Sequence, residues 1–270
     1  MPGHWNFVAL ALYLASLGLY LRFLYTGRRL TGQLAALALG LGLAGHYLAL
    51  VARSHSVHSV PYNDLHGSLS LFGWLLGATY LGLELYYHQR AMGAFVVPFI
   101  VLLYTLGTWP GHAVPATTQE RGALFALHVT LSILAYAAFA LAFVVSGIYL
   151  LQDRRLRRHS PGDVVWRFPA LDGLERMSRG SVLVGLVSLG AGVALGLIWQ
   201  RRIQGHFQIA DPKVLVTVLM FALYAGYLRV SHAGGWRGAR ASLLCLLNFL
   251  IVIFSYAVVN VYLSRFHRYY

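Results

Sequence analysis

The sequence predicts an all-α integral membrane protein of about eight transmembrane helices, with both termini outside. Of its 270 residues, 58% are hydrophobic and only 11% are charged, whereas soluble proteins carry roughly 25% charged residues. The mean hydropathy of +0.63 agrees, and eight apolar runs are each close to the ~20 residues that span a bilayer. We therefore expect a single polytopic membrane domain over residues 1–270, with short loops.

The apolar runs define the expected spans. A lipid-exposed span has to satisfy its own backbone polar groups, so each run is predicted to be helical. The fourth run contains Pro98, which a membrane helix tolerates. The expected spans are 5–25, 30–52, 67–87, 91–109, 123–151, 180–200, 213–231 and 241–263.

Arginine placement sets the predicted orientation. The formal net charge is +13, and it collects between apolar runs, which favours a topology signal over nucleic-acid binding. With both termini outside, thirteen arginines fall in inner connections and seven cationic residues in outer segments. The connection 152–179 is the longest and most basic, and within it Asp172–Arg179 is predicted to form a short amphipathic helix at the inner surface.

Cysteine content and the N-terminus exclude other classes. The single cysteine, Cys245, lies inside an apolar run, so no intrachain disulfide, CxxC redox pair or cysteine metal site is expected. The N-terminal apolar stretch is longer than a signal-peptide core, and it is expected to remain as the first span.

Most of the twelve histidines fall toward the predicted outer face. A histidine inside the membrane requires a partner and tends to be functional, although a helix–helix hydrogen bond explains one equally well. The positions expected in or near the outer face include His46, His58, His128, His206 and His267, and His232 falls at the inner face.

The neutral imidazole of histidine is a common ligand of metals and of haem iron. The sequence has no HExxH zinc motif and no GxSxG nucleophile elbow, and few acids lie in the outer segments. Haem requires imidazoles and an aromatic wall, and aromatic residues make up 14% of the chain. The pattern therefore favours haem over a zinc hydrolase.

Four sequence blocks, in order, resemble the cytochrome c assembly proteins of the CcsA (ResC) type and their relatives HemX and YpjD. Val57–Trp74 is similar to the family's "GHFPLSNLYESLxFLSW", and Leu127–Ala137 to its "IHVxxxxLSYAxL". Trp199–Lys213 aligns with the tryptophan-rich "WANEAWGSYWSWDPK" segment, and Gly235–Tyr269 contains Phe-His-Arg-Tyr where the family has "LHSYG". Together the blocks cover about 57–270.

The resemblance implies a site for haem b at the outer face. Carried over by position, His128 and His267 would be the axial ligands, and Arg201 and Arg202 suit the haem propionates because of arginine's planar fork. Further candidates for contacting haem are Trp199, His206, Asp211, His46, His58 and His232.

The chain departs from the family pattern in two places. Three later tryptophans of the rich segment are replaced by Gln204, Gln208 and Ala210, which reduces the apolar platform for a porphyrin and resembles HemX and YpjD more closely. The family's inner histidine falls at Arg229, and His232 stands about one helical turn further on.

The first hypothesis is therefore a haem-handling protein for cytochrome c maturation in the bacterial inner membrane. It would act with a ResB-type membrane subunit, apocytochrome c and membrane lipids, and without independent enzymatic activity, because the apocytochrome supplies the reacting thiols. An alternative is a HemX-like regulator or interaction protein of the haem pathway that acts through the inner basic loop and holds no stable haem. A transporter or channel built on His46, Glu84 and Asn260 is a third reading.

Overall fold

We describe the fold from a computed structural model that covers residues 3–57, 60, 62, 64–108, 122–158, 169–205, 212–232 and 236–258. Regular structure in these ranges is entirely helical. The elements are α1 (Gly3–Thr26), α2 (Arg29–Val57), α3 (Leu65–Tyr87), a 3-10 turn (Arg90–Met92), α4 (Gly93–Thr108), α5 (Gly122–Arg157), α6 (Leu171–Gln204), α7 (Pro212–His232) and α8 (Ala239–Val258).

The predicted membrane architecture of about eight helices is confirmed. Seven described helices are long and apolar enough to cross a bilayer, and a shorter apolar helix covers residues 239–254. The protein is therefore a multi-pass membrane protein. Pro98 lies within α4 without ending it.

Local sequence signals explain several helix ends. Gly27 adopts a φ of 65° between α1 and α2, a conformation that glycine takes without steric cost. Asp64 caps α3, because its carboxylate accepts a hydrogen bond from the amide of Gly67 at 2.9 Å, and both of its oxygens also accept from Arg53. Pro212 stands at the first position of α7, where its missing N–H costs nothing.

Two helices extend well beyond the expected spans. α5 continues to Arg157, and α6 begins at Leu171 rather than near residue 180. The segment Asp172–Arg179 is helical, but it forms the first turns of α6 instead of a separate helix. An ion pair between Glu175 and Arg179, one turn apart at 2.9 Å, supports these polar turns, and no break in the helical backbone follows them.

The chain divides into two compact units. Unit 1 comprises residues 1–120 and 154–173, and unit 2 comprises 121–153 and 174–270. In unit 1, α1 packs against α2 and α4, and α3 also packs against both. Its largest buried side chains include Tyr13, Tyr20, Leu39, Tyr80, Met92, Ile100 and Tyr104.

Unit 2 packs α5, α6, α7 and α8 around its own core. Phe139 stacks on Tyr224 with ring centroids 3.8 Å apart and planes 4° apart, and Cys245 is fully buried beside them in the same cluster. Gly185 permits this stack, because a Cβ there would lie 2.4 Å from the Phe139 ring. A small residue thus allows close approach of two membrane helices.

Candidate functional site

His128 lies in the second turn of α5 and is bonded across to α6. Its Nδ1 lies 2.7 Å from the backbone carbonyl oxygen of Gly192. A carbonyl can only accept, so Nδ1 carries the proton and Nε2 keeps its lone pair. Within the described part of the chain, Nε2 has no hydrogen-bonding partner. The ring is therefore held in one tautomer with one nitrogen open to a ligand.

Two glycines of α6 make room for this imidazole. A Cβ at Gly196 would lie 2.6 Å from both Cε1 and Nδ1 of His128, and a Cβ at Gly192 would lie 3.1 Å from Oγ of Ser132. The ring thus occupies a slot that exists because α6 has no side chains at these positions. We call Gly192 and Gly196 together the glycine slot.

An aromatic pair lies one turn beyond the imidazole on both helices. Phe125 of α5 and Trp199 of α6 have ring centroids 5.0 Å apart and planes inclined by 48°. Trp199 is the tryptophan that the rich segment retains. Arg201 and Arg202 follow it in the last turn of α6, both exposed. The structure thus brings His128 and Trp199 to one end of unit 2, with the two arginines just beyond.

Four predicted site residues lie outside the described residues, so the structure does not place them: His58, His206, Asp211 and His267.

His46, a further candidate, belongs to the interior of unit 1. It is fully buried, and both of its ring nitrogens are engaged. Nδ1 lies 3.0 Å from the hydroxyl oxygen of Tyr13, and Nε2 lies 2.9 Å from Oγ of Ser70. The ring of Tyr104 packs edge-on against it, with centroids 4.4 Å apart. The sequence did not predict these partners, and they leave neither nitrogen open.

His232 lies at the opposite end of unit 2 from His128. It ends α7, where its Nδ1 is 2.9 Å from the carbonyl oxygen of Leu228, and it is exposed. The last turn of α7 lies beside the start of α6, because Arg179 reaches the carbonyl of Ser231 at 3.5 Å. The structure therefore does not bring His128 and His232 together.

Unit 1 also contains a buried carboxylate, that of Glu84, which the sequence indicated only as part of a transporter or channel. Glu84 is 1% exposed. One of its oxygens accepts hydrogen bonds from Tyr20 and Tyr80 at 2.5 Å each, and the other lies 3.8 Å from Nε of Arg90. Tyr20 is 64 residues and Tyr80 is 4 residues away in sequence, so no local sequence pattern predicts the contact with Tyr20.

The donor set decides which bound group fits. Among the described residues, no group of three or more histidine, cysteine or acidic side chains could hold a metal ion, so a protein-ligated zinc or iron site has no support there. Haem iron already has four porphyrin nitrogens and takes only axial ligands from the protein. A single imidazole with its tautomer fixed by a backbone carbonyl suits that requirement.

Known proteins identify the same family as the sequence blocks. Residues 62–267 match the cytochrome C assembly protein family. The chain is 28% identical to protein HemX of Brevibacillus brevis, over 88% of this chain and 91% of HemX. It is 26% identical to the cytochrome c biogenesis protein CcsA of Prochlorococcus marinus strain MIT 9312, over 77% of this chain and 75% of that protein.

A third relative extends the match to nearly the whole chain. CcsA of Chlorella vulgaris is 23% identical over 98% of this chain and 94% of its own length. The region that matches the family, residues 62–267, begins just before α3 and contains both His128 and the glycine slot. This chain is a member of the cytochrome c assembly protein family.

Proposed function

We propose that this protein binds haem b at the end of unit 2 marked by His128 and Trp199, and holds or passes it there for cytochrome c maturation. Haem is the cargo of this process, and the thiols of an apocytochrome supply the reacting groups. His128 is one axial ligand, and His267, which the resemblance aligns with the second family histidine, is the other. No catalytic side chain of this chain is required.

The observation that carries the proposal is the bond from His128 Nδ1 to the Gly192 carbonyl at 2.7 Å. Histidine ligands of metals commonly donate their second ring N–H to a carbonyl or carboxylate, which orients the ring and strengthens the ligating nitrogen. The same histidine aligns with a haem ligand of the family to which the chain belongs. Geometry and family membership therefore support one residue independently.

The surroundings of His128 fit the remaining needs of a porphyrin. Phe125 and Trp199 offer apolar ring surface one turn from the imidazole. Arg202, exposed at the end of α6, offers a planar fork that binds a propionate through two parallel hydrogen bonds. We assign the same role to Arg201, and contacts with the cargo to His206 and Asp211 of the following segment.

The predicted orientation places this end of unit 2 on the outer side of a bacterial inner membrane. There the haem would meet apocytochrome c and a ResB-type membrane subunit. Cysteine-scanning with a membrane-impermeant thiol reagent tests the orientation. A cysteine introduced at residue 202 should react from outside in intact cells, and one introduced at residue 176 should not.

Absorbance of the purified full-length protein tests haem binding. Expressed with ample haem, the wild type should show a Soret band, and a His128→Ala/His267→Ala double variant should lose it. His4→Ala, which changes an exposed histidine of α1, is the matched control and should keep the band. Absence of a Soret band in the wild type, or an unchanged band in the double variant, would reject the proposal.

A second candidate is a HemX-like membrane regulator of the haem pathway without stable haem binding. Two observations favour it: the loss of three tryptophans from the rich segment, and the match over 91% of HemX. Replacing Arg154, Arg155 and Arg158 of the inner basic loop with glutamine, without removing any helix, separates the candidates. Loss of control over a partner enzyme, with haem binding unchanged, would support the regulator.

A further inference from the structure

A cluster of basic side chains lies at the end of unit 2 opposite His128. The cluster consists of residues at the end of α7, in the turn that follows and at the start of α8. We call it the basic corner, and it comprises Arg229, His232, Trp236, Arg237 and Arg240, all exposed. Among these side chains, Arg237 alone forms an ion pair within the described part of the chain, and its partner is Glu175.

We propose that the basic corner is a binding site for the headgroup of an anionic phospholipid in the adjacent leaflet. The partner chemistry follows from charge and depth. Arg237 lies in the turn just before α8 and Arg240 lies in the first turn of α8, and guanidinium binds phosphate through paired hydrogen bonds. This site is separate from the haem site, and it does not depend on haem binding.

Trp236 fixes the depth of the corner. Its side chain is 50% exposed, and it stands between the apolar helices α7 and α8. Tryptophan favours the level of the lipid headgroups, where its apolar ring and its N–H are both satisfied. The corner therefore lies where lipid phosphates are, rather than in the aqueous phase or in the hydrocarbon.

The buried carboxylate of Glu175 holds one arginine of the basic corner, Arg237, in place. Glu175 of α6 is 9% exposed, and its Oε1 lies 2.9 Å from Nη1 of Arg179 and 3.5 Å from Nε of Arg237. Arg237 is nevertheless 55% exposed. Glu175 thus holds Arg237 through one side of its guanidinium group and leaves the rest accessible, which lowers the entropic cost of binding a headgroup.

The charge balance favours an anion over a neutral lipid. Arg179, Arg229, Arg237 and Arg240 lie at this end of α6, α7 and α8, and Glu175 pairs with two of them, Arg179 and Arg237. The charge of Arg179 is already paired with that of Glu175. The remaining positive charge has no compensation within this group of residues, and anionic headgroups attract such a group at roughly 1 kcal/mol per basic residue.

The α1–α2 corner of unit 1 offers a matched control. Arg28 and Arg29 are exposed there, and by helix order they face the same leaflet as the basic corner. No acidic side chain among the described residues forms an ion pair with them. Arg28 and Arg29 therefore represent the general excess of arginine on one side of a membrane protein. They lack the ion pair with a buried carboxylate and the neighbouring tryptophan that the basic corner has.

Native mass spectrometry of the full-length protein in mixed phosphatidylglycerol and phosphatidylcholine tests the proposal. The wild type should retain phosphatidylglycerol selectively, and Arg237→Gln/Arg240→Gln should weaken that retention about thirty-fold, as two basic contacts of this size imply. Arg28→Gln/Arg29→Gln should change it less than about threefold. Arg240→Gln alone, which disturbs no contact of Glu175, should weaken phosphatidylglycerol retention about fivefold. This single variant keeps the proposal testable if the double variant does not fold.

Four results would overturn the proposal. Equal losses in the two double variants would mean that total charge, rather than the corner, retains the lipid. Equal retention of phosphatidylcholine would mean that the headgroup charge is not recognised. Displacement of the lipid by millimolar inorganic phosphate would assign the corner to a soluble anion, and displacement by an acidic protein fragment would assign it to a protein partner.

Discussion

Each unit contains one described histidine within a predicted membrane span, and these two histidines differ in their hydrogen bonding. His46 of unit 1 is fully buried with both ring nitrogens hydrogen-bonded. His128 of unit 2 is partly exposed, with Nδ1 bonded to a carbonyl and Nε2 open. A membrane histidine is thus a functional candidate only when its bonding is incomplete, and sequence position alone does not reveal this.

The same contrast holds for the polar groups around each histidine. In unit 1, Tyr20 of α1 and Tyr80 of α3 both donate to one oxygen of the Glu84 carboxylate. In unit 2, the contacts of His128 are with backbone and glycine. We therefore expect changes in unit 1 to alter stability and changes near His128 to alter ligand binding. Four predictions test this separation.

The largest expected effect is that of Glu84→Ala. The variant leaves the hydroxyls of Tyr20 and Tyr80 without their acceptor and removes the partner of Arg90, and it should lower the free energy of unfolding by about 3 kcal/mol or more. Unfolding in SDS, followed by circular dichroism, measures it. Haem affinity of the folded fraction should stay at the wild-type value, and a parallel loss of haem would contradict the separation.

The next effect distinguishes the two histidines directly. His46→Ala strands the hydroxyls of Tyr13 and Ser70 in the core and should cost about 2–3 kcal/mol of stability, with the Soret band retained. His128→Ala loses a single hydrogen bond, so its stability should fall by about 1 kcal/mol, while the Soret band is lost. The free energy of unfolding and the Soret absorbance, measured on both variants, test the contrast. Loss of the Soret band in His46→Ala and its retention in His128→Ala would refute it.

Gly196→Ala should weaken haem binding about tenfold. The new Cβ would lie 2.6 Å from the His128 ring and displace the ring, and loss of the contacts that orient a metal ligand commonly costs about ten- to a hundredfold in affinity. Gly190→Ala is the control on the same helix, since a Cβ there meets Phe221 at an ordinary 3.5 Å. Haem titration measures affinity. Nitrogen-15 NMR of the apoprotein reports the His128 tautomer, and an unchanged tautomer with unchanged affinity would show that the slot is not required.

The smallest expected effect concerns two serines. Ser70→Ala removes a partner of the His46 ring at 2.9 Å and should cost about 1 kcal/mol. Ser132→Ala removes a hydroxyl that bonds only a carbonyl of its own helix, that of His128, and should be close to neutral. Equal effects of the two substitutions on the unfolding free energy would argue against a special role of the His46 cluster.

Hydropathy predicted the number and order of the helices but not their lengths. A predicted span ends where the run of apolar residues ends, whereas a helix ends where its backbone hydrogen bonds end. The polar turns at 171–179 continue α6 because Glu175 and Arg179 pair along the helix. The Asp64 cap, in contrast, marks the start of α3 close to the predicted position.

The candidate site could be predicted in part. His128 and Trp199 were found from their alignment with family blocks, and the structure places them at one end of unit 2. The Gly192 carbonyl could not be found in this way, because a backbone acceptor leaves no trace in residue identity. Likewise, a glycine in a membrane helix indicates only that helices can pack closely there, and the particular side chain that Gly196 admits depends on the rotation of α5 against α6.

The unusual length of α6 has a mechanical consequence. Its 34 residues form a rod of about 51 Å at ~1.5 Å per residue, longer than the ~40–45 Å of a whole bilayer. The glycine slot and Glu175 lie on this one rod, about 30 Å apart, with no loop between them. A small rotation of α6 at Glu175, the residue that pairs with Arg237 of the basic corner, would therefore turn the glycine slot by the same angle.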